Sequence, residues 1–124
     1  MASRRASPSK AVKVASAPKP DTALARALAE KNTVVAIVLG EGPVADAAEA
    51  RARQVAQDAL FSQVRVERST ELPETVTLPA GSGTPRTVVL DFERKVSATL
   101  GDAGASRFSD LSDAFLAALA GEQP

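Results

Sequence analysis

The sequence contains no cysteine, no histidine, no tryptophan and no tyrosine. Without cysteine there is no disulfide and no thiolate nucleophile, so thiol redox chemistry is excluded. Without histidine as well, the usual zinc ligand sets and every histidine-based catalytic triad go with it. Four phenylalanines, Phe61, Phe92, Phe108 and Phe115, are the whole aromatic complement, and they are expected in the core or at its edge. No apolar run has the length of a secretory signal or approaches the ~20 residues of a membrane span, so no membrane crossing is expected. Carboxylates, lysines and hydroxyls are what remains for catalysis, and neither a metal nor a cofactor is expected.

What is present fits one small soluble domain: 124 residues, 44% hydrophobic and 24% charged. A chain of this size buries roughly two-thirds of its unfolded surface, enough for a core without staples. The formal net charge is zero, from 15 basic and 15 acidic residues, but the charges are unevenly placed. Residues 1–20 carry Arg4, Arg5, Lys10, Lys13 and Lys19 and no acid, a net of +5; the rest carries ten basic against fifteen acidic side chains, a net of −5. A basic arm on an acidic body can meet nucleic acid or an anionic surface, or can lie against its own domain. It holds no aromatic residue on which the bases of single-stranded nucleic acid could stack.

Residues 1–20 are expected to be a disordered basic tail, because Val12 and Val14 are the only large apolar groups after Met1. The tail is acid-poor and contains Arg and Ser, as organelle transit peptides do, which stands as the alternative to a cytoplasmic location. Arg4-Arg5-Ala6-Ser7 also has the form of a basophilic kinase site. The domain proper is expected over 21–120, with 121–124 as a short C-terminal tail. Asp21 or Thr22 can cap a short helix bearing Leu24 and Leu28 and ending near Lys31-Asn32. Thr33 to Leu39, TVVAIVL, reads as a strand covered on both faces and as the centre of the sheet.

Gly40-Glu41-Gly42-Pro43 breaks that strand, and Pro43 suits the first turn of a long helix running from Val44 to about Leu60. Val64 to Arg68 alternates apolar and charged residues, as a strand near a sheet edge does. A strand, helix and strand in this order form a right-handed unit with parallel strands. Ser69 to Thr84 holds Pro73, Pro79, Gly81 and Gly83, which destroy any helical period; it reads as an irregular connection with one extended piece at 75–78. Arg86 to Phe92 and Lys95 to Leu100 form an antiparallel hairpin turning on Glu93-Arg94. Ser109 can cap a last helix whose Leu111, Phe115, Leu116 and Leu119 face the sheet. The fold class is therefore α/β, a four-stranded mixed sheet with helices on both faces.

This order of elements resembles the thioredoxin family. There, a central strand runs into a Trp-Cys-Gly-Pro-Cys turn at the start of the long helix; the matching stretch here is Gly40-Glu41-Gly42-Pro43-Val44, with Gly-Pro kept and both cysteines replaced. The family's Gly-x-Pro-Thr phrase before the hairpin is matched by Gly83-Thr84-Pro85-Arg86-Thr87, whose Pro85 lies 42 residues beyond Pro43. The likeness covers about 22–120 and departs at Ser69 to Thr84, where the family usually has a helix. It implies a cis Thr84–Pro85 bond lying against the Gly42-Pro43 turn, and a groove between Glu41–Val44 and Thr84-Pro85 where an extended peptide can pair with the residue before the proline. The Ala-rich helices are in keeping with a bacterial source.

Two functions follow as expectations. The first is a redox-inactive, thioredoxin-like module that binds a protein or peptide through Glu41, Gly42, Pro43, Val44, Thr84 and Pro85. The second is a cysteine-independent enzyme or small-ligand protein using carboxylates such as Glu41 and Asp91. Glu41 sits at a helix N-terminus, where negative charge is favoured, so capping or plain solvation is its bland role and recognition of a partner's Lys or Arg its functional one. Gly40-Glu41-Gly42 also begins like a phosphate-binding turn, but no third glycine and no Lys-Ser/Thr follows, and Glu41 would repel an anion. Asp91, Glu93, Arg94 and Lys95 are read as a solvated turn with one exposed ion pair.

Overall fold

The computed structural model describes residues 23–81 and 83–122. The expected disordered tail over 1–20 and the expected cap at Asp21 or Thr22 lie outside them. In chain order the elements are α1 (Ala23–Ala29), β1 (Val34–Leu39), α2 (Pro43–Ala56), β2 (Val64–Ser69), β3 (Thr87–Leu90), β4 (Val96–Leu100), α3 (Asp102–Ala105) and α4 (Phe108–Leu119). The strands form one mixed sheet in the order β2-β1-β3-β4. β1 and β2 are parallel from Val34↔Val64 to Leu39↔Ser69, β3 runs antiparallel to β1, and β4 antiparallel to β3.

All six residues of β1 are buried, which is why the run carries no polar alternation. Val34, Ala36 and Val38 face α2 and α4, together with Val66 and Val89. Alanines at 45, 48 and 52 form the buried stripe of α2, so that helix lies close on the sheet, and bulk comes from Phe61 and Phe115, packed edge to face at 5.4 Å. Val35, Ile37 and Leu39 point the other way, into a second core with Val88, Leu90 and Ala27 of α1. Helices do lie on both faces, but α1 is too short to cover the second one. Leu72, Val76 and Leu78 of the irregular 70–86 connection complete it. That segment contains no helix among its described residues, as its prolines and glycines require, and no strand forms at 75–78.

Several boundaries differ from expectation for local reasons. α2 ends at Ala56, not Leu60, because the Asp58 carboxylate accepts the Leu60 amide at 2.9 Å and starts a 3-10 turn, Ala59–Phe61. That turn buries Phe61 and leaves Leu60 exposed. α4 starts at Phe108, preceded by Arg107 rather than capped by Ser109, and leaves Phe108 and Leu116 substantially exposed. The Arg51 guanidinium stacks over Phe108 at 4.8 Å. At its far end, Gly121 at φ +77 lets the Glu122 and Gly121 amides bond back to the Ala117 and Ala118 carbonyls, so this part of the expected tail closes the helix.

The hairpin turn departs most. Five residues, 91–95, separate β3 from β4, and a register shift lies between Val89 and Leu90. Asp91 is buried, and its Oδ1 accepts the Glu93 and Lys95 amides at 2.9 and 3.0 Å. Arg94, at φ +66, turns inward and donates to the carbonyls of Ala27, Leu28, Glu30 and Thr33 and to the Thr33 hydroxyl. Only the Glu93–Lys95 pair, 3.5 Å apart, matches the solvated turn. Arg94 instead ties the hairpin to the C-terminal end of α1.

Candidate binding groove at the end of the central strand

β1 ends at Leu39, and the backbone leaves the sheet through Gly40 at φ +101 and Gly42 at φ +94 before Pro43 starts α2. Two arginines hold this turn. Arg68, at the end of β2, donates from Nε to the Gly40 carbonyl at 3.0 Å and from Nη1 to Asp46 and Glu49 at 2.9 and 2.8 Å. Arg86, just before β3, donates from Nη1 to the Leu39 carbonyl at 2.6 Å and from Nε to Asp102 at 2.9 Å. A side chain at residue 40 would start 2.5 Å from that Arg86 nitrogen, so glycine is required there by both backbone conformation and space.

Partial burial pushes the Glu49 carboxyl upward, but hydrogen bonds from Arg68 and Arg53 outweigh that and hold it below the ordinary carboxylate range. The arginines missed by the sequence reading are therefore central to this end of the molecule. Their partners are mostly backbone carbonyls and acids 16–47 residues away, for which an isolated Arg at a strand end carries no signal.

Beside Arg86 an open groove of about 340 Å³ lies between β1 and the irregular segment. Its apolar lining is Leu39, Leu72, Leu78 and Pro85; Thr70, Glu71, Thr84 and Arg86 supply the polar edge. Of the six residues singled out from sequence, Thr84 and Pro85 line it. Glu41, Gly42, Pro43 and Val44 do not; all four are exposed on the turn, and no side chain caps the first turn of α2. The turn and the proline loop do stand at the same end of the sheet, since Val38 pairs with Thr87.

The Thr84–Pro85 bond is trans, not cis as the resemblance implies. The reversal of direction is made earlier, at Gly81 and Gly83, both with positive φ, so the intrinsically favoured trans form suffices at a buried Pro85. Arg86 then joins the sheet at once, donating its amide to Leu100 and accepting from Leu39. The trans bond departs from the geometry that the resemblance implies, so any use of this groove rests on its own residues.

The carboxylate pair is also separated. Asp91 follows β3 at the end where Val35 pairs with Leu90, whereas Glu41 follows β1 at the opposite end, so the two cannot share a site. Asp91 is spent on the turn described above. No family model, curated protein or solved structure matches this chain.

Proposed function

We propose that this domain is a redox-inactive binding module of thioredoxin-like topology that holds a peptide segment of a protein partner in the groove beside Arg86. The resemblance contributes topology alone: a parallel strand-helix-strand unit, an antiparallel hairpin and a C-terminal helix. The observation that carries the reading is the groove itself, an open trough with an apolar lining of Leu39, Leu72, Leu78 and Pro85. Its rim offers backbone polar groups: among the described residues, nothing hydrogen-bonds the exposed Thr84 amide or carbonyl. An extended peptide can use such groups for main-chain pairing while alternate side chains enter the apolar trough.

The test is selection of peptides from a random library on the full chain, with binding mapped by amide chemical shifts. Shifts centred on 70–72 and 83–86, and an affinity altered by Glu71→Lys, support the reading. Selected peptides whose shifts centre on the exposed Phe108 and Leu116 of α4, or on the β2 edge, would place the binding surface elsewhere and refute it.

A further inference from the structure

The groove reading leaves open which peptide chemistry the trough accepts, and three features of the molecule narrow it. The floor of the trough is apolar, lined by Leu39, Leu72, Leu78 and Pro85. At this end of the sheet Glu41 and Glu71 are both exposed, and among the described residues neither makes an ion pair, whereas the nearby cations Arg68 and Arg86 are already held by Asp46, Glu49 and Asp102. The uncompensated charge around the groove is therefore negative. A matching ligand alternates aliphatic residues with lysine or arginine.

Val64-Arg65-Val66 fits this pattern but is built into β2; outside the sheet, Lys10-Ala11-Val12-Lys13-Val14-Ala15 fits it, inside the +5 segment that precedes α1. Its valines recur at the two-residue period that places side chains on one face of an extended peptide, with Lys13 on the other. Reach is sufficient. The C-terminal carbonyls of α1 are held by Arg94 at the hairpin end of the sheet, one strand length from the end where β1 finishes and the groove opens. Nine residues from Val14 to Ala23 span up to about 30 Å, and a six-residue strand such as β1 measures only about 20 Å.

Resting on the groove reading above, we infer that the groove takes a basic Val-x-Val peptide and that residues 10–15 of the same chain are its resident occupant, in competition with any outside partner. A tethered ligand acts at an effective concentration in the millimolar range, so even a weak contact occupies the site and an outside peptide must displace it. The solvated-arm alternative predicts no coupling between Val12 or Val14 and the groove.

The experiment compares amide spectra of the full chain with those of its Val12→Asp/Val14→Asp variant, whose changes lie outside the described fold. The probe is a synthetic peptide of residues 8–17. Expected are shifts at Gly40, Thr70, Glu71, Leu72 and Thr84 on substitution, independent of protein concentration, and at least tenfold tighter binding of the peptide to the variant than to the parent chain. Glu71→Lys in the variant background should weaken that binding. Unchanged groove amides in the variant overturn the inference, as do shifts that appear only as concentration rises, which would mean arm exchange between copies. Library peptides that still map to the groove in that case leave the groove reading standing; if none does, both readings fall.

Discussion

Removing the Arg94 side chain tests the largest departure of this fold from its sequence pattern. The guanidinium bonds carbonyls at the end of α1, at 3.0 Å for Leu28 and 3.1 Å for Ala27, which also accepts the Glu30 amide at 3.2 Å, and it bonds Thr33 O at 2.6 Å. A hydrogen bond to a charged group is worth a net ~1.5–3 kcal/mol, and such terms do not add fully within one network. Ordering an arginine costs about 2 kcal/mol in return. Arg94→Ala should therefore destabilise the domain by about 2–4 kcal/mol.

Arg94→Gly loses the same bonds but relieves the positive φ, worth about 1 kcal/mol, so it should be the milder of the two. Arg94→Lys keeps the charge but lacks the planar fork that reaches several acceptors at once, and should recover only part of the loss. Burial pushes Arg94 below the usual arginine range, with Glu30 and Asp91 opposing, which fits a cation enclosed by dipoles rather than by solvent. The assay is urea unfolding followed by circular dichroism, since the chain has no tryptophan or tyrosine. Hydrogen exchange at 30–34 should quicken in parallel. An Arg94→Ala variant within about 0.5 kcal/mol of the parent, with unchanged exchange there, would refute the reasoning.

Other outcomes follow from single sites. Thr87 Oγ1 is buried with no hydrogen-bond partner, so Thr87→Val should leave stability unchanged or raise it by up to about 2 kcal/mol; a lower urea midpoint would show that the hydroxyl matters. Gly40→Ala combines an unfavourable φ with a clash against the Arg86 guanidinium and should cost about 2 kcal/mol or more, read from the same unfolding curves. Glu49 is held below its unfolded-state pKa, so its contribution is full above the ordinary carboxylate range and fades as pH falls through its lower folded value. The stability gap between the parent and Glu49→Gln should accordingly be widest near neutral pH and close in acid, and a gap independent of pH contradicts the ion-pair assignment. Insulin reduction should be absent, because a thiolate is required and the chain has none.

The sheet was legible because its signals are local. Six consecutive aliphatic residues, mostly β-branched and stopped by Gly40-Glu41-Gly42-Pro43, read as a doubly covered strand, and the Val64–Ser69 and Thr87–Leu90 runs supply its neighbours without any need for long-range information. The absence of a helix between β2 and β3 was legible for the same reason, since proline and glycine act on their own neighbourhood. What the segment does instead was not: Leu72, Val76 and Leu78 follow no helical or strand period, yet together they close the second core. α3, at four residues, is shorter than any periodicity can register.

The site failed to show in the sequence for a related physical reason. Arg68, Arg86 and Arg94 look in sequence like ordinary charges on strand ends and in a turn, because their acceptors are backbone carbonyls, which no residue type marks, and, for Arg68 and Arg86, carboxylates distant along the chain. The carboxylates that sequence did mark behave in the opposite way: Asp91 is spent on its own turn, and Glu41 stands in solvent. The family likeness erred where it asked one peptide bond to make a turn that two glycines upstream already make. A cis proline is needed only where the chain must reverse at that residue, so the presence of Gly81 and Gly83 just ahead of Thr84-Pro85 is the local feature that decides against it. On the proposed reading, a peptide in the groove bounded by that loop would draw its selectivity from Glu71 and the apolar trough.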